Sequence, residues 1–383
     1  MSILPVYLDN AATSWPKHPS VIAAMQDYLE NCGGSPGRAG HGKAIASTRM
    51  VYNTRDLIAT LFNAPLTDRV IFTKNATEAI NMVLFGFLNF GDHVVVSSME
   101  HNAVMRPLRE LENRGIDLSI VQCDFCGRLD PAKVKSAFTP HTRLVLLTHA
   151  SNVTGTLLPI AEVAAIAREA EIPFAVDVAQ TAGVCPLDIQ AIGIDFLAFT
   201  GHKSLGGPQG TGGLVLGPNV DLRPLVFGGT GSASESDIQP SFLPDKLESG
   251  TLNAMGIAGL GAAISALNNF GIENVLCHER QLMKFFRDGL REISQITVYG
   301  SENPHEGLGV LSLNIADHSC EEVGLRLERD FDILTRTGLQ CAPAAHHTIG
   351  TFERGTVRFS VSRFTSEEDI LATLAALAKI VRS

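Results

Sequence analysis

Between residues 70 and 200 one pattern recurs: a short apolar run, then a stretch with helical spacing. Strand-like 70–72 precedes helix-like 76–88, 93–97 precedes 102–114, 118–122 precedes 131–138, and 144–148 precedes 160–169. The runs are near-continuous Val, Ile, Leu and Phe rather than alternating apolar and polar residues. Strands of that kind are covered on both faces, as in a parallel sheet with helices above and below. The predicted class is therefore α/β. Near 228–250 the composition turns to Gly and Ser and the periodicity stops. Helical patterns over 256–269 and 273–293 follow, then strands at 310–315 and 356–362 mixed with helices at 321–330 and 367–381. The expected organisation is a large, mostly parallel-sheet α/β domain over 20–255. A small α+β domain would be formed by 1–19 together with 256–383.

With 383 residues, 45% hydrophobic and 18% charged, the chain can bury a large core. A net charge of −10 argues against nucleic acid as a partner, because phosphate backbones call for Lys/Arg-rich faces. No apolar run has membrane-spanning length. Asp9 and Asn10 fall where a secretory signal would need an apolar stretch. Seven cysteines, odd in number and without a spacing framework, fit reduced thiols, so the expectation is a cytoplasmic protein. The lone Cys123-Asp-Phe-Cys126, beside Gly127 and Asp130-Pro131, reads as a turn before a helix, with no matching pair to complete a metal site.

Two apolar runs end in reactive side chains. Pro173-Phe-Ala-Val176 leads into Asp177-Val-Ala-Gln180, and Asp195-Phe-Leu-Ala-Phe199 leads into Thr200-Gly-His-Lys203, with Gly206, Gly207, Gly210, Gly212 and Gly213 behind. Alone, a lysine after a strand is usually a solvated surface residue. Two buried strands ending side by side, one in a carboxylate and one in a lysine, suit pyridoxal phosphate. The lysine would form the Schiff base and the carboxylate would hold the pyridine nitrogen protonated. Asn75-Ala76-Thr77-Glu78, between a strand and a helix, can cap that helix and aim free N–H groups at a phosphate, although an ordinary N-cap has the same residues. Thr200 and His202 could add donors. Gln180 and Asn152 could reach the ring's phenolic oxygen. His101 could stack on the ring and exchange protons with a substrate, or simply cap a loop. All of these residues follow strands, where ligands of open α/β sheets bind.

Further motifs extend the set from end to end: Tyr7-Leu-Asp-Asn-Ala-Ala12-Thr, Ser35-Pro-Gly-Arg-Ala-Gly-His41, Met99-Glu-His101, Glu248-Ser-Gly-Thr251-Leu-Asn253, Arg336-Thr-Gly-Leu-Gln-Cys341-Ala-Pro343 and Val357-Arg358-Phe-Ser360. In these motifs and their order the chain resembles the class V aminotransferase-like family of pyridoxal-phosphate enzymes. Within it, the chain is similar to the group II cysteine desulfurase and selenocysteine lyase branch. The resemblance implies the PLP-dependent transferase fold of type I. It implies Lys203 as the cofactor lysine, Asp177 on the pyridine nitrogen and His101 over the ring. Ala76, Thr77, Thr200 and His202 would bind phosphate, and Gln180 and Asn152 would address the phenolic oxygen. Thr251 would reach the phosphate of the other subunit of a homodimer, and Arg358, with Asn152, would receive the substrate carboxylate.

Cys341 separates the possible reactions. It lies in a segment rich in Gly and Pro, near Arg336 and upstream of His346-His347. Neighbouring positive charge favours a thiolate. In the family, such a cysteine takes sulfur from L-cysteine as a persulfide, alanine leaves, and the sulfur passes to a thiol acceptor. Gln340 stands where histidine is frequent in group II, and Ala344-Ala-His-His347 has no counterpart in that pattern. His346 and His347 read as loop residues, with proton donation as the alternative. Cys32, Cys185, Cys277 and Cys320 read as core or incidental. The rival readings are a selenocysteine lyase, a C–S lyase that does without Cys341, and a non-catalytic sulfur-relay or scaffold subunit.

Overall fold

The computed structural model describes residues 5–37 and 40–382, so Arg38 and Ala39 of the Ser35–His41 motif lie outside the described residues. β1 (Val6–Tyr7), α1 (Pro19–Asp27) and α2 (Gly42–Phe62) open the chain. Strands and helices then alternate: β2 (Val70–Thr73), α3 (Ala76–Phe87), β3 (His93–Ser97), α4 (Asn102–Glu112), β4 (Asp117–Val121), α5 (Pro131–Ser136), β5 (Thr142–Thr148), α6 (Ile160–Glu169), β6 (Phe174–Asp177), α7 (Ile189–Ile192), β7 (Phe196–Thr200) and β8 (Gly212–Leu216). After an irregular stretch come α8 (Ala254–Phe270), α9 (Ile272–Arg291), β9 (Ile296–Tyr299), β10 (Val310–Ile315), α10 (Cys320–Phe331), β11 (Ile333–Leu334), β12 (Arg336–Gly338), α11 (Pro343–Thr348), β13 (Thr356–Ser360) and α12 (Glu367–Val381).

Seven strands form one sheet in the order β2-β8-β7-β6-β5-β3-β4. All pairs from β7 to β4 are parallel, and β8 runs antiparallel to both its neighbours. The continuous apolar runs follow from burial on both faces. Val95, Val145, Val176 and Leu197 pack in one cluster with α2, α6 and α8. Val94, Val96, Leu144, Leu146, Ala175 and Phe196 pack in another with α3 and α4. Successive side chains on a strand point to opposite faces, so each run must be apolar throughout.

β8 is the strand that apolar runs do not announce, because it starts in the glycines behind Lys203. The reason for glycine is close approach. A Cβ on Gly212 would lie 2.7 Å from Asn75 Cα and 2.8 Å from the Phe199 carbonyl oxygen. Gly212 therefore lets the start of α3 close against the end of β7.

A second, antiparallel sheet of order β12-β13-β10-β9 carries its own core of Leu282, Phe286, Leu311, Leu313, Phe359 and Leu377. The two-residue β1 joins this part of the molecule, pairing in parallel with β11, and Asp9 bridges to Ser360. Helix α8 packs on α1 and α2, and its Ile257, Leu260, Ile264 and Leu267 belong to the large sheet's core. Among the described residues no single helix is long and apolar enough to cross a membrane.

Candidate active site

The carboxyl ends of β7, β6, β5 and β3 lie side by side, and the residues that follow them line one cavity of about 280 Å³. Its walls include Ala76, Thr77, His101, Asn152, Asp177, Gln180, Thr200, His202 and Lys203, together with Cys341 and Arg358 from beyond β12 and on β13. Every candidate from the sequence is there except Thr251. Thr251 is exposed and lines a separate cavity with Arg55 and Glu248.

The anion cup is a helix start. Asn75 caps α3, its side chain accepting from the Glu78 N–H at 2.9 Å. The N–H groups of Ala76 and Thr77, in the first turn, have no intrahelical acceptor. They face the cavity beside Thr200 Oγ1 and His202 Nδ1, which are both buried and without a hydrogen-bond partner. Unpaired buried donors beside a helix N-terminus form an anion site. Burial, with Lys203 and Lys17 nearby, brings His202 down to about 4, so its ring is neutral. The His202 carbonyl is clamped by the Ser14 N–H at 3.0 Å and by Lys17 Nζ at 2.7 Å, which fixes the backbone before Lys203.

Asp177 is buried at the end of β6, one oxygen accepting the Ala179 N–H at 2.8 Å. Burial raises its carboxyl pKa, while that hydrogen bond and Lys203 pull it back. Burial lowers the Lys203 amine to about 8, against the opposing pull of Asp177. His101 caps α4, and its Nδ1 accepts the Ala103 N–H at 3.0 Å, which leaves the ring proton on Nε2. Burial and the cations Lys203, Arg358 and Arg106 bring it to about 4.

Arg358 is 2% exposed. It donates from Nη2 to Asp9 at 2.7 Å and from Nη1 to the Asn152 carbonyl at 3.1 Å, and its Nε has no partner. Arg336 faces Arg358 directly across β12 and β13. A buried guanidinium with a free N–H, beside a second arginine, suits a small carboxylate. Cys341 is exposed, and both it and Gln340 have left-handed backbones.

Some assignments change in the structure. The Asn152 amide donates to the Gln340 carbonyl at 2.7 Å, so it supports the Cys341 segment as well as lining the cavity. Gln180 donates to the Ala11 carbonyl at 3.2 Å. His346 and His347 are not loop residues: they lie on α11, His346 fully buried and His347 stacked on Phe352 at 3.6 Å. Cys123 and Cys126 flank a hydrogen-bonded turn before α5, in which Gly127 N–H donates to the Asp124 carbonyl at 2.9 Å. Residues without an assigned role from the sequence also contribute. Ala11 and Ala12 form cavity wall, and Glu100 is buried under it. The acidic Glu100 side chain next to His101 was the visible clue.

A family profile for class-V aminotransferases matches residues 6–372. The chain belongs to the class-V aminotransferase family. Within this family it is 37% identical to a probable cysteine desulfurase of Methanothermobacter thermautotrophicus over 95% of this chain and 92% of that one. It is 32% identical to a cysteine desulfurase of Cronobacter sakazakii over 98% of this chain and 93% of that one. Its fold matches an apo cysteine desulfurase of Thermococcus onnurineus with a TM-score of 0.93 and 29% identity, over 99% of this chain and 95% of that one. It also matches a cysteine desulfurase of Escherichia coli in an S-sulfonic acid form, with a TM-score of 0.87 and 28% identity, over 99% and 95% of the two chains.

Proposed function

We propose that this class-V aminotransferase family member is a cysteine desulfurase that uses pyridoxal phosphate, converting L-cysteine to L-alanine and holding the sulfur on Cys341. The observation that carries the reading is the meeting of Lys203, Asp177, Arg358 and Cys341 around one cavity. The cofactor fits the donor set. Thr200 Oγ1, His202 Nδ1 and the N–H groups of Ala76 and Thr77 suit its phosphate, and the first two are otherwise buried without partners. Asp177, raised by burial, would be kept ionised by the cofactor's pyridine nitrogen in its protonated form. When bound, pyridoxal phosphate supplies the electron sink that lets an amino acid lose its α-proton.

The chain's own residues then divide the work. Arg358 orients the substrate carboxylate through its free Nε–H, with Asp9 and Asn152 fixing the fork. Lys203 Nζ, neutral above about pH 8, carries the α-proton. His101 presents Nε2–H on the same wall and assists proton transfer near the leaving sulfur. Cys341 Sγ attacks the substrate sulfur, an S–S bond forms, and the carbon–sulfur bond breaks. Its electron pair stays with the carbon skeleton, which takes up a proton and leaves as alanine. The persulfide then passes its outer sulfur to a thiol acceptor. Such a thiol suits a reducing, cytoplasmic compartment.

We further propose a homodimer in which Thr251 serves the partner's phosphate site. The support is its separation from the cavity of its own chain, together with the exposed Phe227, Ile238 and Phe242 on the segment leading to it. The test of the main reading is alanine and sulfide release from L-cysteine with a reductant, for wild type and Cys341→Ala. Loss in the variant is expected. Equal rates would leave a C–S lyase that needs only Lys203 and the cofactor.

A further inference from the structure

Cys341 and Gln340 are consecutive non-glycine residues with φ of 59° and 42°. L side chains keep that left-handed conformation only where the surroundings over-determine it. Here they do. The Asn102 N–H donates to the Cys341 carbonyl at 2.9 Å, and Asn152 Nδ2 donates to the Gln340 carbonyl at 2.7 Å. The Gln340 side chain is buried, and its Nε2 donates to the Thr356 carbonyl at 2.9 Å. That carbonyl can only accept, so the orientation of the amide is fixed. Oε1 must then face His346 Nε2, 2.9 Å away, and that nitrogen must carry the ring proton. The other ring nitrogen, Nδ1, accepts from Thr351 Oγ1 at 2.7 Å. Both ring nitrogens are thus used, and His346 is fully buried.

We infer that His346 is a positioning residue for the sulfur-carrying step: through Gln340 it fixes where Cys341 presents its thiol. The inference rests on the desulfurase reading and deepens it. His346 is not among the residues lining the cavity, and its side chain reaches the Cys341 segment through Gln340. Its ring is neutral through the physiological range, because burial, with His347 next to it, lowers it to about 4. A neutral ring with a single N–H is what this arrangement requires.

The effect should depend on the substrate. L-cysteine needs the Cys341 thiol aligned with its sulfur, since its stronger carbon–sulfur bond breaks, with the electron pair left on carbon, only as a well-placed thiolate takes the sulfur. L-selenocysteine needs it less, because its weaker carbon–selenium bond yields to attack on selenium by the thiol reductant in solution, the electron pair again staying on carbon so that alanine forms. The experiment compares wild-type holoenzyme with His346→Ala, His346→Gln and Cys341→Ala. Alanine formation is measured from both substrates, and deuterium exchange is followed over residues 336–350. For His346→Ala the expected result is a loss of about 10- to 100-fold with L-cysteine, the scale on which misplacement of a reacting group acts. Turnover of L-selenocysteine stays near wild type, which also shows that the variant folds. The 336–350 segment exchanges faster. His346→Gln keeps a donor for Gln340 Oε1 and recovers much of the L-cysteine rate. Equal loss on both substrates, or an L-cysteine rate and exchange profile like wild type, overturns the proposal. An unaffected His346→Ala beside an inactive Cys341→Ala removes this proposal alone. A Cys341→Ala variant as fast as wild type removes the desulfurase reading and this proposal with it.

Discussion

Asp9 lies 2.7 Å from Nη2 of Arg358, which ties the N-terminal segment to the arginine proposed to receive the substrate carboxylate. Arg358 is buried, and among the described residues its other bond is to the Asn152 carbonyl. Asp9→Ala leaves that charge without its ionic partner. The full cost of breaking a buried pair is about 3–5 kcal/mol, and solvent access to Asp9 reduces it to roughly 1–3 kcal/mol. Urea midpoints measure this. Arg358→Lys keeps the charge but loses the planar fork. The KM for L-cysteine should rise by about 10- to 100-fold with a smaller change in kcat. A dominant fall in kcat would count against the carboxylate role.

The Lys203 amine, brought to about 8 by burial, gives a pH signature in the apoprotein. Its pKa is lowered, so the neutral nucleophile accumulates as pH rises through that value. Covalent loading with pyridoxal phosphate, trapped by borohydride and read by mass spectrometry, should accelerate up to about pH 8 and then level off. Lys203→Ala should show no trapped adduct at any pH.

Glu100 offers a stability test. It is fully buried, accepts from Ser97 Oγ at 2.5 Å and from the Thr148 N–H at 2.9 Å, and is pushed up to about 8 by burial. Its folded pKa lies above its unfolded one. The native state therefore binds the extra proton, and the stability contribution is full at low pH and lost as pH rises through about 8. Glu100→Gln, which cannot ionise, should lose less stability than wild type as pH rises from about 4.5 to about 8, with no further difference in slope above that. Urea midpoints at the two ends of that window, about pH 4.5 and about pH 8, are sufficient.

Thr251 allows a complementation test. If it serves the partner's site, Lys203→Ala and Thr251→Ala subunits should each be impaired as homodimers. When unfolded together and reassembled, the mixed dimer has one site with both residues intact, and activity should return. No recovery would place Thr251 in another role.

Much of this site was legible because its chemistry sits where apolar runs stop. Asp177 ends β6 and Lys203 follows the end of β7, and these two strands are paired neighbours. Other parts were not. Asp9 and Arg358 are 349 residues apart and meet because the two-residue β1 pairs with the equally short β11; neither strand is long enough to show periodicity. β8 hides in glycines that serve close approach rather than flexibility. His346 looked like a loop residue because α11 is only six residues long and opens at a proline. Its burial comes from Gln340 and Thr351, which no local pattern connects to it.

The hydrogen bond from Asn102 to the Cys341 carbonyl has a consequence for traffic across the protein surface. Asn102 begins α4 immediately after His101, so the sulfur carrier and the ring-side histidine are anchored to the same helix start. With the Gln340 carbonyl held by Asn152 on its other flank, the backbone of Cys341 is tied to the cavity wall on both sides. If Cys341 carries the sulfur as proposed, the sulfur would stay at the cavity rim and delivery would depend on the acceptor. The receiving thiol must reach the exposed rim on an extended or protruding segment of its own. The shape of that approach, rather than travel of the carrier, sets which acceptors can be served.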